Sequence, residues 1–134
     1  MKNNYLVFRL KPESDLYAGI KQQCEKQQLK AASVVSAVGC VKHLVIRTAD
    51  GVSLYQESCE FEVTSLSGTI SEDGLHLHIQ VCDKDLRSFG GHLQPGTIVN
   101  TTMEIVLVNL ENEYRLRRIA DVTTGYDELQ VQEK

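Results

Sequence analysis

Apolar and polar residues alternate with a period of two along most of this chain, the signature of half-buried β-strands. The segment YLVFRL, Tyr5 to Leu10, reads as a first strand. From Glu13 to Lys30 the period lengthens: Leu16, Tyr17, Ile20 and Cys24 recur at helical spacing, acids stand in the first turn, and Lys26 and Lys30 lie near the end, where they complement the helix dipole. This predicts one long N-terminal helix. Strand-type runs follow at 32–41 (ASVVSAVGCV), 43–47 (HLVIR), 52–57 (VSLYQE), 61–70 (FEVTSLSGTI), 75–81 (LHLHIQV), 97–110 (TIVNTTMEIVLVNL) and 114–120 (YRLRRIA). Asp50-Gly51 and Asp73-Gly74 supply hairpin turns, ENE joins the last two runs, and Gly39 marks a bend or a close backbone approach. The pattern predicts an α+β fold: one domain over 1–134, a large, mainly antiparallel sheet, the long helix and few short helices.

Composition supports that picture. A chain of 134 residues and 15.0 kDa with 42% apolar and 24% charged residues can bury a normal core. The net charge of -4 opposes a phosphate backbone. The basic cluster Arg115, Arg117 and Arg118 is followed by Asp121, Asp127 and Glu128, which reads as solvated charge on a strand. No segment reaches the roughly 20 apolar residues of a membrane span, and the N-terminus lacks the apolar run of a secretory signal. Cys24, Cys40, Cys59 and Cys82 form no C-x-x-C pair, so a cytoplasmic protein with reduced thiols is expected.

The candidate chemistry lies in GLHLHIQVCDKDLRSFGGHL, Gly74 to Leu93, which holds three of the four histidines. Alternation places Leu75, Leu77, Ile79 and Val81 on one face, with His76, His78, Gln80 and Cys82 on the other. His76 and His78 then have Cα atoms roughly 6.8 Å apart, and both rings can converge on one ion. Gly90-Gly91 would allow the chain to turn back and bring His92 over them. Three imidazoles with an open position resemble ligand-binding or catalytic zinc sites more than closed structural ones. H-x-H also occurs on the wet face of ordinary strands, so spacing alone leaves both readings open. Glu104 shares a largely apolar face of its strand with Ile98, Val106 and Val108; it is the candidate proton carrier or a partner fixing a histidine tautomer, with a structural acid as the alternative. Cys82 is read as inert, His43 as structural, and Asp83 and Asp85 as turn residues.

The stretches FEVTSLSGTI, DGLHLHIQVCDKD, GGHLQPGTIVNTTMEIVL and TGYDEL resemble the plants-and-prokaryotes-conserved (PPC) domain, most specifically at Gly68, His76, His78, Gly90, Gly91, His92, Pro95, Gly96, Thr102 and Glu104. The resemblance implies a sheet flanked by helices, a homotrimer, and a divalent metal, with zinc expected, on His76, His78 and His92. Plant members place an AT-hook before the domain; these residues contain none, which suggests the stand-alone prokaryotic type and weakens the family's DNA-binding label. Plant members also carry Gly-Arg where Cys59-Glu60 stand here, which reverses the charge offered to a partner. The leading expectation is a homotrimeric regulatory module that uses the three-histidine site to bind a small-molecule or protein ligand. The alternatives are a DNA-associated regulator, disfavoured by net charge, and a metal-dependent enzyme acting on a small polar substrate.

Overall fold

A computed structural model describes residues 3–134, so the first two residues of the expected 1–134 domain lie outside it. The order is β1 (Tyr5–Leu10), α1 (Leu16–Lys26), β2 (Ala31–Arg47), β3 (Leu54–Ser71), β4 (Gly74–Cys82), β5 (Ser88–Leu93), β6 (Ile98–Asn109), β7 (Tyr114–Ala120) and β8 (Asp127–Glu133). Six strands form an antiparallel sheet in the order β1-β6-β2-β3-β4-β5, and β7 and β8 form a separate hairpin. One helix beside a mainly antiparallel sheet is the α+β class the pattern predicts. No helix among the described residues is long and apolar enough to cross a membrane.

The sheet curls back on itself. The edge of β2 that pairs with β6 as far as His43 takes β5 at Ile46 and Arg47, while its other edge carries β3. Strands β2, β3, β4 and β5 therefore close into a small barrel. Helix α1 buries Leu16, Ile20 and Cys24 in a core shared with Phe61, Met103 and Ile105. Full burial of a Leu, Ile or Phe side chain contributes about 1.5–3 kcal/mol, so this seam fixes the helix on the sheet.

The helix is shorter than the expected Glu13–Lys30, and no further helix exists among the described residues. Its 11 residues begin after Asp15, whose extended backbone and side chain make an N-cap, Oδ1 accepting the Ala18 N–H at 2.9 Å. Glu13 has φ 73° and cannot belong to the helix; the predicted first-turn acids precede it. At the other end Gln28 takes φ 56°, and the N–H groups of Gln28 and Leu29 return to the carbonyls of Glu25 and Cys24. This is the left-handed close usually made by glycine. Here a glutamine makes it.

Two pairs of predicted strands are each one long strand. The runs 32–41 and 43–47 are both part of β2, and 52–57 and 61–70 belong to β3 except for Val52 and Ser53. The register shifts between Val41 and His43, where three steps along β3 oppose two along β2. A bulge of this kind bends a strand and breaks its alternation without ending it. Gly39 makes the close approach expected of it: a Cβ there would stand 1.9 Å from the Thr102 carbonyl oxygen.

Candidate metal centre

The centre is built on β4, where Leu77, Ile79 and Val81 are buried and His76, His78 and Gln80 are exposed on the opposite face, as the alternation predicts. On one flank β3 supports this face, pairing Thr69 with His76 and Ser67 with His78. Gly68 lies between them at φ 145°, and a Cβ on it would stand 1.9 Å from the His76 carbonyl oxygen. Only glycine combines that backbone angle with that approach.

His92 reaches the other flank, although not by the predicted route. Gly90 and Gly91 do not turn the chain; both lie within strand β5. The turn is made at Asp83–Arg87, where Asp83 Oδ1 accepts the N–H groups of Asp85 (3.0 Å) and Arg87 (2.9 Å) and Leu86 takes φ 65°. Asp83 thus has the turn role read from the sequence. The two glycines instead let strands pack closely: a Cβ would stand 2.0 Å from the Ile79 carbonyl oxygen at Gly90, and 2.7 Å from that of Arg47 at Gly91. Strand β5 then pairs His92 with His78 on β4 and with Arg47 on β2. His92 therefore sits at the seam where the barrel closes.

The ring centroids of His76, His78 and His92 are separated by 5.1 Å (76–78), 4.9 Å (76–92) and 5.7 Å (78–92). One nitrogen from each ring lies within 4.8 Å of the others. Imidazole nitrogens ligate zinc at about 2.0–2.1 Å, so two of them stand at most about 4.2 Å apart across an ion. Small side-chain rotations would close the gap, and His76 and His78 are exposed enough to make them. Metal ligation also needs neutral rings. Partial burial, with Arg118 and His78 adding repulsion, lowers the pKa of His76; partial burial and the neighbouring Arg47 and histidines bring His92 down to about 4. The donor set fits a divalent, borderline-soft ion.

A cavity of about 480 Å³ opens over the rings, bordered by Arg47, Asp50, Gly91 and Tyr126. A second recess, of about 330 Å³, adjoins His76 and His78 beside Thr69, Arg118 and Glu128. The hairpin β7–β8 forms its wall. Arg117 grips the Asp73 carboxylate at 2.7 and 3.2 Å, Arg115 reaches Glu72 at 3.1 Å, and Arg118 donates to Thr69 Oγ1 at 2.8 Å. The basic cluster read as solvated charge is engaged in fastening this hairpin to the β3–β4 turn. A larger cavity of about 940 Å³ lies near the end of α1 and is lined by Lys, Glu and Asp of mixed sign, without a histidine.

The remaining candidates stand apart from the cluster. Glu104, on β6 opposite Arg9 and Val38, is exposed rather than buried and accepts from Thr102 Oγ1 at 3.3 Å; it lines neither recess beside the histidines. Cys82 Sγ contacts the Asp83 carbonyl at 3.7 Å, outside the group of converging nitrogens. His43 is held by Ser58 and Gln56 at 2.7 and 3.2 Å, a structural arrangement. Pro95-Gly96 also serves architecture: the Gly96 N–H donates to Asp15 Oδ2 at 2.7 Å, tying the β5–β6 turn to the cap of α1. Arg47 and Tyr126 were not singled out from the sequence. Arg47 ends an apolar strand run, a weak signal whose meaning depends on barrel closure.

Residues 2–111 match the family described as the Plants and Prokaryotes Conserved (PCC) domain. A bifunctional protein GlmU from Synechococcus is 42% identical over 124 residues, which is 92% of this chain and 20% of that protein. The chain thus spans about one fifth of the curated relatives it matches. A hypothetical protein from Salmonella is 31% identical with a TM-score of 0.92, covering 97% of this chain and 94% of that one. A candidate DNA-binding protein from Bacteroides thetaiotaomicron has a TM-score of 0.85 at 21% identity (97% and 94% covered). A metal-containing protein from Archaeoglobus fulgidus has a TM-score of 0.74 at 23% identity (96% and 94% covered). The last two share the fold.

Proposed function

The chain belongs to the Plants and Prokaryotes Conserved domain family, and from that premise we propose that it is a homotrimeric regulatory module whose subunits hold a divalent metal, zinc by preference, on His76, His78 and His92. The convergence of three ring nitrogens within 4.8 Å carries this reading. A three-imidazole ion keeps an open position, at which it would accept a donor atom from a ligand or partner. The protein's contribution is to hold the three rings on closely packed strands and to wall the site with Arg47, Tyr126 and the β7–β8 hairpin. The metal-containing relative from Archaeoglobus fulgidus adds support through its shared fold.

The trimer draws on a different surface. Tyr5, Val7, Val35 and Val38 are exposed on the β1–β6–β2 part of the sheet, where Val106 and Val108 are only half-buried. Tyr5 and Val7, paired with Val108 and Val106, are the apolar part of this face, and the Arg9–Glu104–Val38 row borders them; an uncovered apolar cluster with a charged border supports the interface reading.

Two other readings have less behind them. A DNA-associated regulator would rest on the candidate DNA-binding neighbour. The net charge of -4 and the pairing of Arg115 and Arg117 with Glu72 and Asp73 oppose it. An enzyme acting on a small polar substrate would need a proton carrier beside the ion, and Glu104 lines neither recess.

The test is the metal content of untagged protein purified without added ions, beside a His76→Ala, His78→Ala double variant. About one equivalent per chain in the parent and near none in the variant is expected. Equal content in both removes the proposal.

A further inference from the structure

Arg47 is the cation nearest the seam of the barrel, and its hydrogen bonding is incomplete. Its Nη2 donates to His92 Nδ1 at 3.3 Å, its Cζ lies 5.7 Å from the Tyr126 ring centroid, and its buried Nε has no partner. No carboxylate among the described residues forms an ion pair with it. Asp50 borders the same cavity, but its carboxylate is occupied by Thr48 and by the N–H groups of Val52 and Ser53. A buried donor of a charged group without a partner is costly. An oxyanion in the cavity that Arg47 lines would give the guanidinium the anionic partner it lacks.

The bond to His92 constrains how a metal could enter. Guanidinium only donates, so Nδ1 must accept, and the proton of a neutral His92 ring is then on Nε2. An ion taking Nδ1 displaces Arg47 directly. An ion taking Nε2 requires the ring proton to move to Nδ1, where it would meet the guanidinium donor to donor. Either route separates Arg47 from His92 and leaves its fork free beside the metal.

We propose that the metal and Arg47 together form the receptor for a small oxyanion, a carboxylate or a phosphate, with one oxygen on the metal's open position and others on the guanidinium. This rests on the three-histidine metal reading and deepens it by naming the ligand class. Arginine's planar fork matches both groups in a bidentate manner. The cavity of about 480 Å³ admits a small molecule. Binding is ordered: metal releases Arg47, and the anion follows. By linkage the bound anion tightens the metal by the same factor.

The experiment uses the 134-residue chain loaded with one equivalent of Co²⁺, titrated at fixed ionic strength with inorganic phosphate or with acetate and followed by the visible cobalt bands. A saturable band shift is expected in the parent. Anion affinity should fall at least tenfold in Arg47→Gln, while its Co²⁺ affinity in anion-free buffer stays equal or rises, because the competing bond to His92 is gone. Arg47→Lys, which keeps the charge but not the fork, should fall between the two, and it serves alone if Arg47→Gln does not fold. The anion that saturates at lower concentration identifies phosphate or carboxylate as the source. Stoichiometric cobalt binding with no response to either anion, or variants that respond with the parent's affinity, overturns this inference alone. Failure of the parent to bind cobalt overturns the metal reading and this inference with it.

Discussion

His92 has neighbours on both sides, His78 across β4 and Arg47 across β2, and its titration reports on both. Burial and Arg47 lower its pKa from 6.5 to about 4, so between those values the unfolded chain binds more protons than the folded one. Stability therefore falls as pH drops through that window, and His76, shifted in the same direction, adds to the effect. Thermal midpoints of metal-stripped protein should decline from pH 6.5 to pH 4, and His92→Gln should flatten the decline. A flat profile in the parent would contradict the assigned environment. At this scale the sequence was informative where a period of two sufficed: H-x-H placed His76 and His78 on one face without further knowledge. Arg47 was not legible, because its approach to His92 depends on two strands far apart in sequence meeting at the barrel seam.

Strand β5 shows how a correct residue can be reached by a wrong path. A glycine pair signals either a turn or a close approach, and only the pairing partners decide between them. Since Gly90 and Gly91 pack against the carbonyls of Ile79 and Arg47, Gly90→Ala must push two strands apart. A loss of about 1–3 kcal/mol in denaturant unfolding is expected from such overpacking, accompanied by weaker metal binding because His92 moves with the strand. Unchanged stability would show that β5 tolerates the side chain and that the glycines have another cause. Other boundaries were hidden for local reasons: Gln28 ends α1 in a conformation that glycine would have advertised, and the bulge opposite Val41 and His43 made single strands read as two.

At the scale of the molecule, α1 buries Leu16, Ile20 and Cys24 in the core of the curled sheet, whose outer surface is unevenly covered. The face bearing Tyr5, Val7, Val35 and Val38 has no cover among the described residues, and Val7 is 69% exposed. Sedimentation equilibrium should return three times the 15.0 kDa chain mass, and Val7→Glu should shift it towards the single-chain value by placing a charge in the apolar contact. A monomeric parent would end the trimer proposal while leaving the metal centre untouched. The centre itself is tested most directly by zinc X-ray absorption on protein loaded with one equivalent of the ion. Three imidazole nitrogens at about 2.0–2.1 Å with one further light ligand are predicted, reduced to two imidazoles in His92→Ala. A shell of water oxygens alone, or one that contains sulfur, would contradict the three-histidine centre.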